Sequence, residues 1–170
     1  MALGKATFMY AYSRSALVCA VFTAVAMSFT GLACAGEFGT PDEAKAMLAR
    51  AIVALKADKQ TAITKFNHND AAFRDRDLFV FCFNGDDGKF TAHEAFVGSD
   101  VRGLADRAGN QFGAGMFAAP AEGRITEVPY LSPIPGSVAQ AQKLAYVVRI
   151  GEQVCSVSAY FLNTSAKPAQ

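Results

Sequence analysis

The sequence has no excess of either charge: 16 Lys and Arg stand against 15 Asp and Glu, a formal charge of +1 over 170 residues. A nucleic-acid surface needs a basic stripe and a cationic partner needs an acidic tail, so both functions are set aside. Charged residues make up only 18% and apolar residues 52%, which excludes an intrinsically disordered chain. Histidine occurs only at His68 and His93, and the four cysteines form neither C-x-x-C nor C-x-x-C-H. Structural zinc, thioredoxin-like redox chemistry and covalent haem therefore find no ligand set. There is no G-x-S-x-G elbow, and no cysteine stands in a polar setting that favours a thiolate. Imagined acid–base sets such as His93 with Ser99 and Asp106, or His68 with Asp70, lack any motif that fixes their geometry. The chain reads as a non-enzyme without cofactor or metal.

What is present begins with an apolar leader. Lys5 and Arg14 precede an uncharged run from Ser15 to Gly36, and Ala33-Cys34-Ala35 supplies small residues at the positions a signal peptidase reads. A retained membrane helix is the alternative, since the run is just long enough to span. A lipid anchor at Cys34 is a second alternative, weakened by Gly31 where that signal normally has leucine. Residues 1–35 are read as a cleaved signal peptide and 36–170 as one exported domain. Removing Lys5 and Arg14 leaves 14 basic residues against 15 acidic, a charge of −1. Cys19 and Cys34 leave with the leader. Cys82 and Cys155 remain, each inside an apolar strand-like run, and are either small buried hydrophobes or one disulfide.

Along the exported part, Thr40-Pro41-Asp42-Glu43 is a capping box with proline at the first helical position. Ala44, Met47, Leu48, Ala51, Ile52, Leu55, Ala62, Ile63 and Phe66 then fall on one stripe, predicting a single helix over 41–66. So long a helix must lie across something larger than itself or pair with another helix. Lys45, Arg50, Lys56, Lys59 and Lys65 fall off the stripe and read as a solvated face. Leu78–Phe83 and Lys89–His93 read as a hairpin around Asn84-Gly85-Asp86-Asp87-Gly88. That turn lacks the ligand array of a calcium loop. Residues 95–120 read as loops with a short helix. Arg124–Leu131 is a third strand ended by Ser132-Pro133, and Gln142–Ile150 with Gln153–Leu162 form a second hairpin. The acids Asp70, Asp75 and Asp77 with Arg74 and Arg76 read as a solvated, self-paired connector. A long helix followed by five antiparallel strands is an α+β plan.

The order Ala44-x-x-Met47-Leu48-x-x-Ala51, Phe73-x-Asp75-x-Asp77-Leu78-Phe79-Val80-Phe81 and Asp86-Asp87-Gly88-Lys89-x-x-Ala92-His93 resembles the single-Cache, PAS-like extracellular sensor domains of bacteria. Val97-Gly98, Leu104-x-Asp106, Gly109, Val128-x-Tyr130, Lys143 and Tyr146-Val147 continue that order, so the resemblance spans Thr40 to Phe161. It implies a long N-terminal helix packed on a PAS-like five-stranded antiparallel sheet. It also implies a sensor that binds a small ligand, often a short organic acid, outside the cytoplasmic membrane. Relatives sit between two membrane helices and pair through the long helix. Here neither a second apolar span nor an output domain follows Phe161, and Pro129-Tyr130-Leu131-Ser132-Pro133 lacks the aromatic residue that relatives carry after the tyrosine. The expectation is a free-standing periplasmic module that signals through a separate membrane-bound protein. The alternatives are an interaction protein that dimerises through helix 41–66 and a small periplasmic enzyme.

By the same resemblance, the pocket lies on the sheet face covered by residues 95–120. Tyr130 would supply a phenol, His93 an imidazole, and Lys143 or Arg102 a positive charge, with Asp106 nearby. Phe79, Phe81, Phe112 and Phe117 would be apolar walls. In a PAS-like sheet the Val154 strand lies beside the Leu78 strand, which would bring Cys82 and Cys155 together.

Overall fold

The computed structural model describes residues 37–161; the leader and the tail beyond Phe161 lie outside the described residues. The chain enters helix α1 (Pro41–Ala57) through the expected capping box, with Thr40 accepting from the Glu43 amide and Glu43 accepting from the Thr40 amide. Gly39, just before it, is a close-approach position. A Cβ there would meet Leu78 side-chain atoms at 2.2–2.7 Å.

The predicted single helix is two. Asp58 is extended (φ −157°, ψ 103°), closes α1 and caps α2 (Lys59–Asn67), its carboxylate accepting from the Thr61 amide and hydroxyl at 3.0 and 2.7 Å. The stripe had a gap at this turn. Between Leu55 and Ala62 no apolar residue faces the sheet, and Asp58 with Thr61 supplies a cap where the helix has least to bury. Ala44, Met47, Leu48, Ala51, Leu55, Ala62 and Phe66 are buried against the sheet together with Tyr146, Val148, Cys155 and Val157. The apolar stripe offered for a partner helix is thus covered by the domain's own sheet.

The run Leu78–Phe83 also divides. β1 (Arg74–Asp75) and β2 (Leu78–Phe79) form a small hairpin around Arg76-Asp77, with Arg76 in the left-handed region at φ 52°. The chain then enters the main sheet as β3 (Phe81–Asn84). β4 (Phe90–Ala92), β5 (Thr126–Pro133), β6 (Gln140–Ile150) and β7 (Gln153–Tyr160) complete a five-stranded antiparallel sheet of order β4-β3-β7-β6-β5. β5 runs past Ser132 to Pro133 because it is an edge strand, where a missing amide costs no ladder bond. The α+β, PAS-like plan is as predicted. Residues 95–120 cross the face opposite the helices as loops, a 3₁₀ turn (Val101–Gly103) and the short helix α3 (Phe112–Ala118).

Strand alternation sorts the side chains. Tyr146, Val148, Cys155, Val157 and Cys82 face the helices, whereas Ala145, Val147, Val154, Phe81 and Phe83 face the loop-rich segment. Cys82 and Cys155 are directly opposite in the β3–β7 ladder and are joined as a disulfide. Both are fully buried under α1.

Candidate functional site

A cavity of ≈ 770 Å³ opens on the sheet face away from the helices. Its floor is made by β5, β6 and β7, whose register sets Tyr130 opposite Lys143 and Lys143 opposite Tyr160. Leu104, Asp106, Phe112 and Met116 close it from the loop-rich side, and the Arg76-Asp77 turn and Phe38 from the helix end. Gly113 allows α3 to settle on the 3₁₀ turn, since a Cβ there would lie 1.9 Å from the Val101 carbonyl.

Lys143 is buried to 7% exposure within this floor. Its Nζ lies 3.4 Å from Asp77 Oδ2 and 4.4 Å from the Tyr160 ring centroid. Burial pushes its pKa down, and the Asp77 charge partly restores it. The sequence places Asp77 with the solvated acids of the connector; the structure corrects this. Its side chain is 8% exposed, Oδ1 accepts from the Gly39 amide at 2.7 Å, and Oδ2 has the Lys143 charge beside it but no hydrogen bond. The tight β1–β2 turn causes the burial. Arg76 turns to Glu43 of α1 at 2.7 Å while Asp77 reaches Gly39 and Lys143.

Tyr130 is half-buried, and desolvation pushes its phenol up to about 12. Its ring stacks on Phe112 with centroids 4.4 Å apart and planes 12° from parallel. The Ser158 hydroxyl, buried and on the cavity lining, lies near the phenol without the geometry of a hydrogen bond. Lys143, Tyr130, Ser158 and Asp77 therefore make a compact polar floor of one cation, two hydroxyls and one carboxylate.

His93 belongs to the opposite wall. Its ring lies 4.6 to 5.8 Å from those of Phe79, Phe81, Phe90 and Phe96. The Ala95 amide donates to Nδ1 at 3.0 Å, so that nitrogen carries no proton in the neutral ring. Burial lowers the His93 pKa below 6.5, and Glu94 opposes this weakly. As the pH falls through the unfolded value, the unfolded chain takes up the proton first, so stability drops until the folded value is passed. Denaturant midpoints between about pH 5 and 7 are expected to fall on acidification. The His93→Asn variant, which keeps an acceptor at the Nδ1 position, should show a flatter profile. Equal slopes for the two proteins would refute this.

Of the residues named from the sequence, Tyr130, Lys143, His93, Asp106, Phe79, Phe81 and Phe112 line the cavity. Asp106 does so with its carboxylate committed to the loop, accepting from the amides of Ala108, Asn110 and Leu131 and from Asn110 Nδ2. These bonds hold its pKa down, Asn110 foremost. It ties the loop to β5 and offers little to a ligand. Arg102 and Phe117 are corrections. Arg102 points outward from the 3₁₀ turn, bound to Asp100 and the Asp87 carbonyl and lying over the Phe117 ring at 4.9 Å. Phe117 is one position round α3 from Met116, so it packs on Phe83 instead of joining Phe112 and Met116 at the cavity. The sequence reading missed Asp77, Ser158 and Phe96. Ser156 and Ser158 alternating within an apolar strand were a readable signal; the inward turn of Asp77 was not.

No protein-family model matches this chain, and no curated protein does. Solved structures do. A methyl-accepting chemotaxis protein from Vibrio parahaemolyticus RIMD 2210633 shares 23% identity at a TM-score of 0.56, over 70% of this chain and 86% of that one. The periplasmic sensor domain of a chemotaxis protein shares 16% at 0.52, over 71% and 90%. A Cache chemosensory domain studied for carboxylic acid recognition shares 16% at 0.51, over 71% and 88%. With α1 and α2 on one sheet face and the cavity on the other, the described domain has the Cache-like, PAS-like fold of these neighbours.

Proposed function

We propose that this domain is a periplasmic sensory module that binds a small organic acid in the cavity, does not alter it covalently, and passes the occupancy signal to a membrane-bound partner. The observation that carries this reading is Lys143, a buried lysine opening on a cavity beside Tyr130 and Ser158. A carboxylate there would gain a charge-assisted bond in a place where water competes poorly. The fold neighbours support the sensory role, being chemotaxis sensor domains, one of them described for carboxylic acid recognition.

Thermal unfolding of the purified protein against a panel of carboxylates tests this. A binder at a hundred times its Kd is expected to stabilise by about 2.7 kcal/mol. Tyr130→Phe, which keeps the ring stack and removes the hydroxyl, should weaken binding roughly five- to tenfold. If no acid on the panel moves the transition, the proposal fails.

A further inference from the structure

We propose that the acid recognised by this cavity carries an aromatic ring, and that a two- to four-carbon acid is too small to be its main ligand. This rests on the reading of the cavity as an acid site and adds the rest of the molecule. The first observation is size. At roughly 30 Å³ for each water-sized group, an acid of about five non-hydrogen atoms fills on the order of 150 Å³. The cavity holds ≈ 770 Å³, within the range of about 300–1,000 Å³ that suits ligands of drug size.

The second observation is how polarity is distributed. Lys143, Asp77, Tyr130 and Ser158 make the polar floor, charged side chains such as Arg74, Glu94 and Arg107 also border the cavity, and the rest of the lining is rich in rings: Phe79, Phe81, Phe90, Phe96 and Phe112. The two parts are continuous, because Tyr130 of the floor stacks on Phe112 of the wall at 4.4 Å. Across the cavity, Phe79, Phe90 and Phe96 surround the His93 ring, which its Nδ1 bond and burial keep neutral. A carboxylate seated at Lys143 would leave its substituent among ring faces and edges, the surroundings in which another ring gains offset or edge-on contacts that an alkyl chain does not. Phe96, 42% exposed on the loop after His93, is an apolar side chain that such a ligand would cover.

Calorimetric titration of the purified protein with propionate, hexanoate and phenylacetate tests the inference. The expected result is a Kd for phenylacetate at least tenfold below those of the other two. Phe112→Ala should weaken phenylacetate at least fivefold and propionate less than twofold. The half-exposed Phe96→Ala should show the same pattern in a variant with little core to lose. Propionate or hexanoate binding as tightly as phenylacetate overturns the aromatic requirement and leaves the acid-binding function standing. No heat with any of the three overturns both.

Discussion

Replacing both Cys82 and Cys155 by alanine is expected to lower the unfolding free energy by about 4 kcal/mol, the chain-entropy value for cysteines 73 residues apart. For a domain of this size that is a loss of roughly 12–20 °C in Tm. The bridge pins β3 to β7 at the centre of the sheet, and the segment between them includes β4, the loop-rich cover and the outer hairpin strands β5 and β6. Without it the unfolded chain regains the freedom of that whole loop. Because both sulfurs are fully buried, reductant is expected to act only after unfolding. Alkylation of native protein followed by mass measurement should find neither thiol free. A difference below about 1 kcal/mol between the proteins, or free thiols in the native state, would remove the bridge from any account of stability.

Lys143→Met is the second large effect. It leaves the Asp77 carboxylate buried with its charge uncompensated, and breaking a buried pair in this way costs about 3–5 kcal/mol. Adding Asp77→Asn should recover most of that loss, since the amide oxygen can still accept from Gly39 while the charge is gone. Urea denaturation of the single and double variants reads the coupling directly. Losses that simply add would mean that the two groups act independently. The double variant also separates folding from binding: it should be folded yet unable to hold a carboxylate. A folded double variant that binds acids as before would move the acid site away from Lys143.

Legibility of the fold and the site followed the range of the interactions involved. The capping box at Thr40, the stripe from Ala44 to Leu55 and the hairpin of β6 and β7 are local patterns, and the described residues adopt them. The break at Asp58 was also local, written in a polar turn between Leu55 and Ala62, but it is small beside a stripe that continues on both sides. Seven of the nine ligand-site candidates line the cavity because the family resemblance pointed to the sheet face on which it opens. Arg102 and Phe117 fall outside it because residue type says nothing of rotation within a short helical turn.

By itself, the sequence determined the α+β order, the helix start, the strand hairpins and the cysteine pair available for bridging, because these depend on neighbours within a few residues. Only the tertiary structure decided that Asp77 turns inward. Its burial comes from a two-residue turn docked on Gly39 and from Lys143, which is 66 positions away in the chain. The same holds for the size of the cavity, which is the distance left between a sheet and its cover once α3 settles on Val101 through Gly113. Such distances belong to packing between segments remote in sequence, and no periodicity along the chain encodes them.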